Sequence, residues 1–233
     1  MLHASTRRED GCENLPIMTG SLLPRIAVLG AGHVGPVIAR VALAAGYPVN
    51  IAASGDPEEI ALITRILVPG AEPRWAADAV RDADLVVLAI PLRRFPDFDP
   101  GLVAGKLVVD PMNYWPPTDG VQEMFEDPRY GSSEIVARRL DRSTVVKTFN
   151  HAGYHQIEEE RRPVGDPDRR ALGVAGDDRT ATDLVAELVE RIGYDAVRLD
   201  SLRAGRLLEP GGPVFGASLR RAEFERAVRG VLR

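Results

Sequence analysis

The chain has 233 residues, 45% hydrophobic and 27% charged, which suits one large α/β domain or one domain with a small appendage. A net charge of −5 argues against nucleic acid as the main partner, because proteins that bind it carry a basic surface. The single cysteine, Cys12, excludes an internal disulfide and any cysteine-type metal spacing, and no apolar run approaches the ~18 residues that span a membrane.

Residues 1–23 mix charges and lack an apolar stretch, so they read as a flexible arm and not as a secretory signal, with Met18 as an alternative start. A cytoplasmic location follows from the thiol usage and the missing signal. Arg25–Leu29 is a short apolar run and predicts a buried strand. The turn GAGHVG follows at 30–35, then an Ala- and Val-rich helix over 36–45 that stops before Gly46. Val49–Ala53 predicts a second strand. Asp56-Pro57-Glu58-Glu59 opens a helix as a capping box with proline at the first helical position, and Pro69-Gly70 ends it.

A short strand is expected around Trp75, a short helix over 76–83, and a clear strand over Asp84–Ile90, stopped by Pro91. Further strands are expected at 107–110, 145–149, 171–175 and 196–199. Residues 177–192 carry an apolar stripe at helical spacing, and 218–232 predicts a terminal helix. Residues 111–131 hold four prolines and read as one long irregular loop. Strands alternating with helices imply an α/β fold with a doubly wound, mostly parallel sheet of the Rossmann type and a small C-terminal extension. The expected division is a dinucleotide-binding domain over 24–150 and a smaller α/β part over 151–233 packed on it.

The glycine turn carries the first chemical expectation. Gly30 permits the tight turn, Gly32 lets backbone approach a pyrophosphate, and Gly35 lets helix and strand pack closely. The helix N-terminus then offers N–H groups to phosphate, from His33, Val34 and Gly35 onward. In such a fold an Asp or Glu ending the second strand holds the ribose of NAD. Here the strand ends in Ala-Ala-Ser-Gly; Asp56 is either that acid displaced by two residues or, as the capping box already explains it, a helix cap. Without that acid, Ser54 and the Gly55 N–H are the candidates to meet a 2′-phosphate, so the segment leans toward NADP, although no arginine sits at this turn.

Ile90 and Pro91 end the fourth strand, where the nicotinamide ribose would pass. Asn113 follows the LVVD strand, and Thr148 and Asn150 follow VVKTF. Amides there can hold a carboxamide or cap the next helix. His151 and His155 are four apart, but no third metal ligand is placed beside them, and His151 with Tyr154 is read as facing substrate. No nucleophile elbow and no Walker loop occur.

These motifs together resemble the NADPH-dependent reductases of the deazaflavin coenzyme F420, also called F420-dependent NADP oxidoreductases, in a divergent actinobacterial form. The resemblance covers about residues 25–217: IAVLGAGHVG at 26–35, DLVVLAIP at 84–91, LVVDPMN at 107–113, VVKTFN at 145–150 and the long stretch from Val174 to Pro210. It implies NADP(H) across the turn at 30–35, a nicotinamide near Pro91, Asn113 and Thr148–Asn150, and direct hydride transfer to a deazaflavin with no catalytic acid or base. Family members place Ser-Arg at the end of the second strand, with the arginine on the 2′-phosphate; this chain has Ser54-Gly55. The alternatives that stay open are reduction of another small acceptor, such as an imine or a flavin, and a regulatory protein that binds NADP(H) without turnover. A small-molecule partner and a homo-oligomer, such as a homodimer built through the EPGGPVFG stretch and the terminal helix, complete the expectation.

Overall fold

The computed structural model describes residues 23–231. All but one residue of the expected 1–23 arm, and Cys12 with it, lie outside that range. The apolar runs become a single eight-stranded sheet: β1 (Ile26–Leu29), β2 (Val49–Ala52), β3 (Glu72–Pro73), β4 (Leu85–Leu88), β5 (Leu107–Asp110), β6 (Thr144–Lys147), β7 (Ala171–Gly176) and β8 (Asp195–Leu199). Their order is β3-β2-β1-β4-β5-β6-β7-β8. Neighbours are parallel except β6 and β7. The central strands are continuous apolar runs because helices cover both faces.

One face is covered by α1 (Val34–Ala44), α6 (Tyr154–Glu159) and α7 (Arg179–Arg191), which share a core with Ile26, Val28, Ile51, Val87 and Val109. The opposite face is covered by α3 (Ala76–Arg81), α5 (Ser132–Arg139) and 3₁₀ turns over Leu92–Asp97 and Pro100–Val103, around Ala27, Val86 and Val108. A third cluster packs α8 (Arg221–Val231) and the 3₁₀ segment Leu202–Leu208 on β7 and β8. The C-terminal strands therefore continue the same sheet, and the boundary at 150 falls between two hydrogen-bonded strands. No helix among the described residues is long and apolar enough to cross a membrane.

The Asp56 cap of α2 (Pro57–Leu67) is in place, its carboxylate accepting from the Glu58 N–H at 2.9 Å, whereas Glu59 does not close the expected capping box and lies against Gly55. The strand expected around Trp75 sits instead at Glu72–Pro73, and Trp75 is the residue before α3. The 111–131 stretch holds two helical turns, α4 (Pro116–Asp119) and a 3₁₀ turn at Glu123–Phe125. Besides the short α4, two helices were not anticipated from the sequence, α5 and α6. Both start on glycine, and a side chain three residues on reaches back to its N–H: Glu134 to Gly131 at 2.7 Å and Gln156 to Gly153 at 2.9 Å. Half of a capping box was thus present in each sequence, with the usual Ser or Thr replaced by glycine.

Candidate active-site crevice

β1 has β2 on one side and β4 on the other, so the connections leave the sheet in opposite directions and their carboxyl ends open into a crevice. The glycine turn forms its floor. Gly30 has φ +122°, and a Cβ there would stand 2.1 Å from the Ala89 carbonyl oxygen. A Cβ on Gly35 would stand 1.9 Å from the Gly30 carbonyl oxygen. Both are therefore demanded by the chain's own packing. Gly32 is different: its φ is not positive, and a Cβ would meet no atom within 4 Å. The protein itself gives no steric reason for glycine at 32, and the open space above it leaves room for a ligand to lie close against the turn. Behind the turn, α1 starts with no side-chain cap from His33 and no acid in its first turn, which leaves its N–H groups and positive dipole end to an anion. These residues fit a dinucleotide.

A cleft of about 580 Å³ extends from this turn and is lined by Gly30, Gly32, Ala52–Ser54, Ile60, Ala89–Pro91, Arg93 and Arg94, among others. Its apolar walls suit an adenosine. Ser54 lies on the cleft as expected, whereas Gly55 does not line it; the Glu59 carboxylate lies against Gly55, 2.8 Å from where a Cβ would sit. Asp56 does not line it either, its carboxylate being committed to α2. Sequence reasoning missed Arg93 and Arg94. They are remote in sequence from the second strand, and only the turn after β4 swings them toward it.

A second cleft of about 420 Å³ opens at the ends of β5 and β6, lined by Val34, Asn113, Trp115, Phe149–Tyr154 and Phe215, among others. A pocket of about 240 Å³ joins Val34, Ile90, Met112, Asn113 and Trp115. Asn113 and Asn150 cap no helix. The Asn150 amide donates to Asn113 Oδ1 at 2.9 Å and to the Leu208 carbonyl at 2.7 Å, and Asn113 Nδ2 donates to the Asn150 carbonyl at 2.6 Å. Both Asn150 amide hydrogens are thus used, while Asn113 keeps one donor and one lone pair free for a ligand. Phe149, at φ +67°, is the only non-glycine among the described residues in the left-handed region, and this reversal turns Asn150 toward Asn113. Thr148 is fully buried, lines none of these clefts, and its hydroxyl has no partner. Exposed His33 stacks on Tyr154 at 5.3 Å, which seats α6 against the glycine turn. Of the two loop aromatics, Trp115 lines the cleft; Tyr114 packs on Phe125.

Residues 25–114 match the family model for NADP oxidoreductases that are coenzyme F420-dependent. Over these residues, about two fifths of the chain, the sequence is similar to that family. The matched segment runs from β1 past β5 and contains the glycine turn, Ser54, Arg93, Arg94 and Asn113. The fold agrees with the hypothetical protein SMa0349 of Sinorhizobium meliloti, 28% identical, with a TM-score of 0.73 over 85% of this chain and 96% of that one. A protein of Arthrobacter sp. FB24 assigned as an F420-dependent NADP-reductase is 24% identical, with a TM-score of 0.69 over 85% and 100% of the two chains. An imine reductase from Pseudomonas sp., 19% identical with a TM-score of 0.53, shares the fold over 77% of this chain and 57% of its own. No curated protein matches the chain by sequence.

One buried polar network holds the rim of the second cleft. Lys147, at the end of β6, is fully buried and donates to the Met112 carbonyl at 3.1 Å, Ser132 Oγ at 3.1 Å and Ser133 Oγ at 2.8 Å. Ser133 passes the contact to Asp110 at 2.6 Å, and Ser132 passes it to Glu209 at 2.7 Å. The second Asp110 oxygen accepts from the Met112 N–H at 2.9 Å. Both polar groups of the Met112 backbone are thereby fixed, one residue before Asn113.

His151 borders the second cleft, with its ring committed to the protein interior. Its ring is buried, Nε2 accepts from the Gly173 N–H at 3.1 Å, and Phe224 packs edge-on at 5.9 Å. It also precedes α6, so it shares no helix face with His155, and among the described residues no group of three potential ligands can hold a metal. Burial, with Arg170 and Lys147 nearby, pushes the His151 pKa down to about 3. The sign for stability follows: below pH 6.5 the unfolded chain takes a proton that the native ring refuses, so stability falls as pH drops from 6.5 toward 3. His151→Gln should remove this component, at most about 1.4 kcal/mol per pH unit. Urea unfolding of both proteins at pH 7 and pH 5 checks it; parallel losses in the two proteins would exclude His151 as the source.

Proposed function

We propose that this protein is an NADP(H)-dependent oxidoreductase that passes a hydride between the nicotinamide and a deazaflavin of the F420 type. The observation that carries the nucleotide half is Gly32, open over an uncapped helix end and facing a cleft of adenosine size. The family match over residues 25–114 supports the same half. In this reading Gly30, Gly32, His33, Val34 and Gly35 receive the pyrophosphate, mostly through backbone. Ser54 takes the 2′-phosphate side, Ile90 and Pro91 flank the second ribose, and Asn113, oriented by Asn150, meets the carboxamide. Tyr154 borders the acceptor.

NADP(H) supplies the hydride chemistry. The protein's work is position and exclusion of water, which the packed walls of the second cleft provide. Val34, Trp115, Phe149, Tyr154 and Phe215 give that cleft apolar and aromatic surface, suited to a flat ring system.

The test is direct. Titration with NADPH and NADH, followed by thermal unfolding, should show stabilisation that rises with NADPH concentration and is weaker with NADH. Absorbance of NADPH should then fall on adding F420. Binding without turnover across deazaflavin, flavin and imine acceptors would instead make this a nucleotide-binding regulator.

A further inference from the structure

No arginine stands at the end of the second strand, where Ala52, Ala53 and Ser54 line the cleft. We propose that Arg93 and Arg94, projecting from the turn after β4, grip the NADP 2′-phosphate together with Ser54; the inference rests on the NADP(H) reading above. The turn Leu92–Asp97 makes this arrangement unavoidable. Leu92 and Phe95, one 3₁₀ turn apart, are buried in the core, so the two residues between them point out. The Arg94 N–H closes the turn on the Pro91 carbonyl at 2.8 Å. Its far end is pinned by Arg139, whose Nη2 donates to the carbonyls of Pro96 at 2.9 Å and Phe98 at 3.3 Å.

Both arginines line the cleft that also holds Gly32 and Ser54. Neither forms an ion pair with a described carboxylate. Two adjacent guanidinium groups repel one another and want an anion between them. The pyrophosphate is already served by the helix end behind Gly32, which leaves the 2′-phosphate as the anion at the adenosine side. The β2 end offers it Ala52, Ala53 and Ser54, with no carboxylate facing the cleft. Asp97 is the one carboxylate in the lining, and it opposes the arginines. Guanidinium also matches phosphate bidentately, which fits arginine over lysine at both positions.

Calorimetric titration of the wild type, the Arg93→Gln/Arg94→Gln double variant and Asp97→Asn tests this, with the melting temperature of each ligand-free protein as a folding control. The double variant should bind NADPH at least about tenfold more weakly, bind NADH as before, and melt as the wild type does, since charge-assisted hydrogen bonds are lost from exposed residues. Asp97→Asn should move NADPH affinity the other way and leave NADH unchanged. A double variant that keeps full NADPH affinity, or loses NADPH and NADH alike, overturns the assignment while leaving the nucleotide reading intact. A wild type that prefers NADH, or binds neither, overturns the parent reading instead.

Discussion

Lys147→Met is expected to destabilise the fold by about 3–5 kcal/mol, the usual cost of removing one partner from a buried charge network. Methionine keeps the stem that packs on Gly205, so lost volume is not the cause. What is lost is the cation that faces Asp110 at 4.0 Å and Glu209 at 3.5 Å, both bridged by serine hydroxyls. Asp110 is wholly buried and would keep only its hydrogen bonds from Ser133 and the Met112 N–H, with no cation beside it. Against a total stability of about 5–15 kcal/mol this is a large fraction, visible as a lower urea midpoint at unchanged slope. The double variant Lys147→Met/Asp110→Asn should recover part of the loss, because the uncompensated charge goes with it. A cost below about 1 kcal/mol would mean that water reaches the network, and Lys147 could not then be what fixes Met112.

The same network shows which parts of this protein were legible in its sequence. The sheet was, because apolar runs such as Ile26–Leu29 and Leu85–Leu88 lie between helix signals that obey ordinary capping rules, Asp56 above all. The glycine turn was legible for the same reason: its spacing only makes sense between a strand and a helix. α5 and α6 were hidden because their N-caps are glycines, recognisable only through the acid or amide three residues on. Lys147 looked like part of an apolar strand, and its partners come from Asp110, Ser132, Ser133 and Glu209, far apart along the chain. That the His151 ring is bonded to Gly173 was not legible, because sequence position at a strand end does not say which way a ring turns. The turn at Phe149 was hidden as well, since a phenylalanine at positive φ has no sequence signature. Arg93 and Arg94 lay in plain view after Pro91, yet their meaning depends on β1 lying between β2 and β4, which is a fact of sheet order.

Two glycines two residues apart should separate folding from binding. Gly30→Ala is expected to abolish the stable native state or to leave it several kcal/mol weaker, because Cβ at 2.1 Å from the Ala89 carbonyl oxygen forces β1 and β4 apart and φ +122° is closed to alanine. Gly32→Ala should fold normally: its Cβ meets nothing within 4 Å, and replacing an exposed glycine stiffens the unfolded chain and costs the native state little. Yet that methyl group stands where the pyrophosphate must approach the turn, so NADPH affinity should fall by about 10- to 100-fold, the loss of one or two charge-assisted hydrogen bonds from the helix end. Circular dichroism melts and NADPH titration of the pair decide the matter. If Gly32→Ala melts like the wild type and still binds NADPH undiminished, the dinucleotide does not lie against this turn, and the open space over Gly32 loses its explanation. If it melts like the wild type and does not bind, a single methyl group with no protein neighbour will have reported where the phosphates lie.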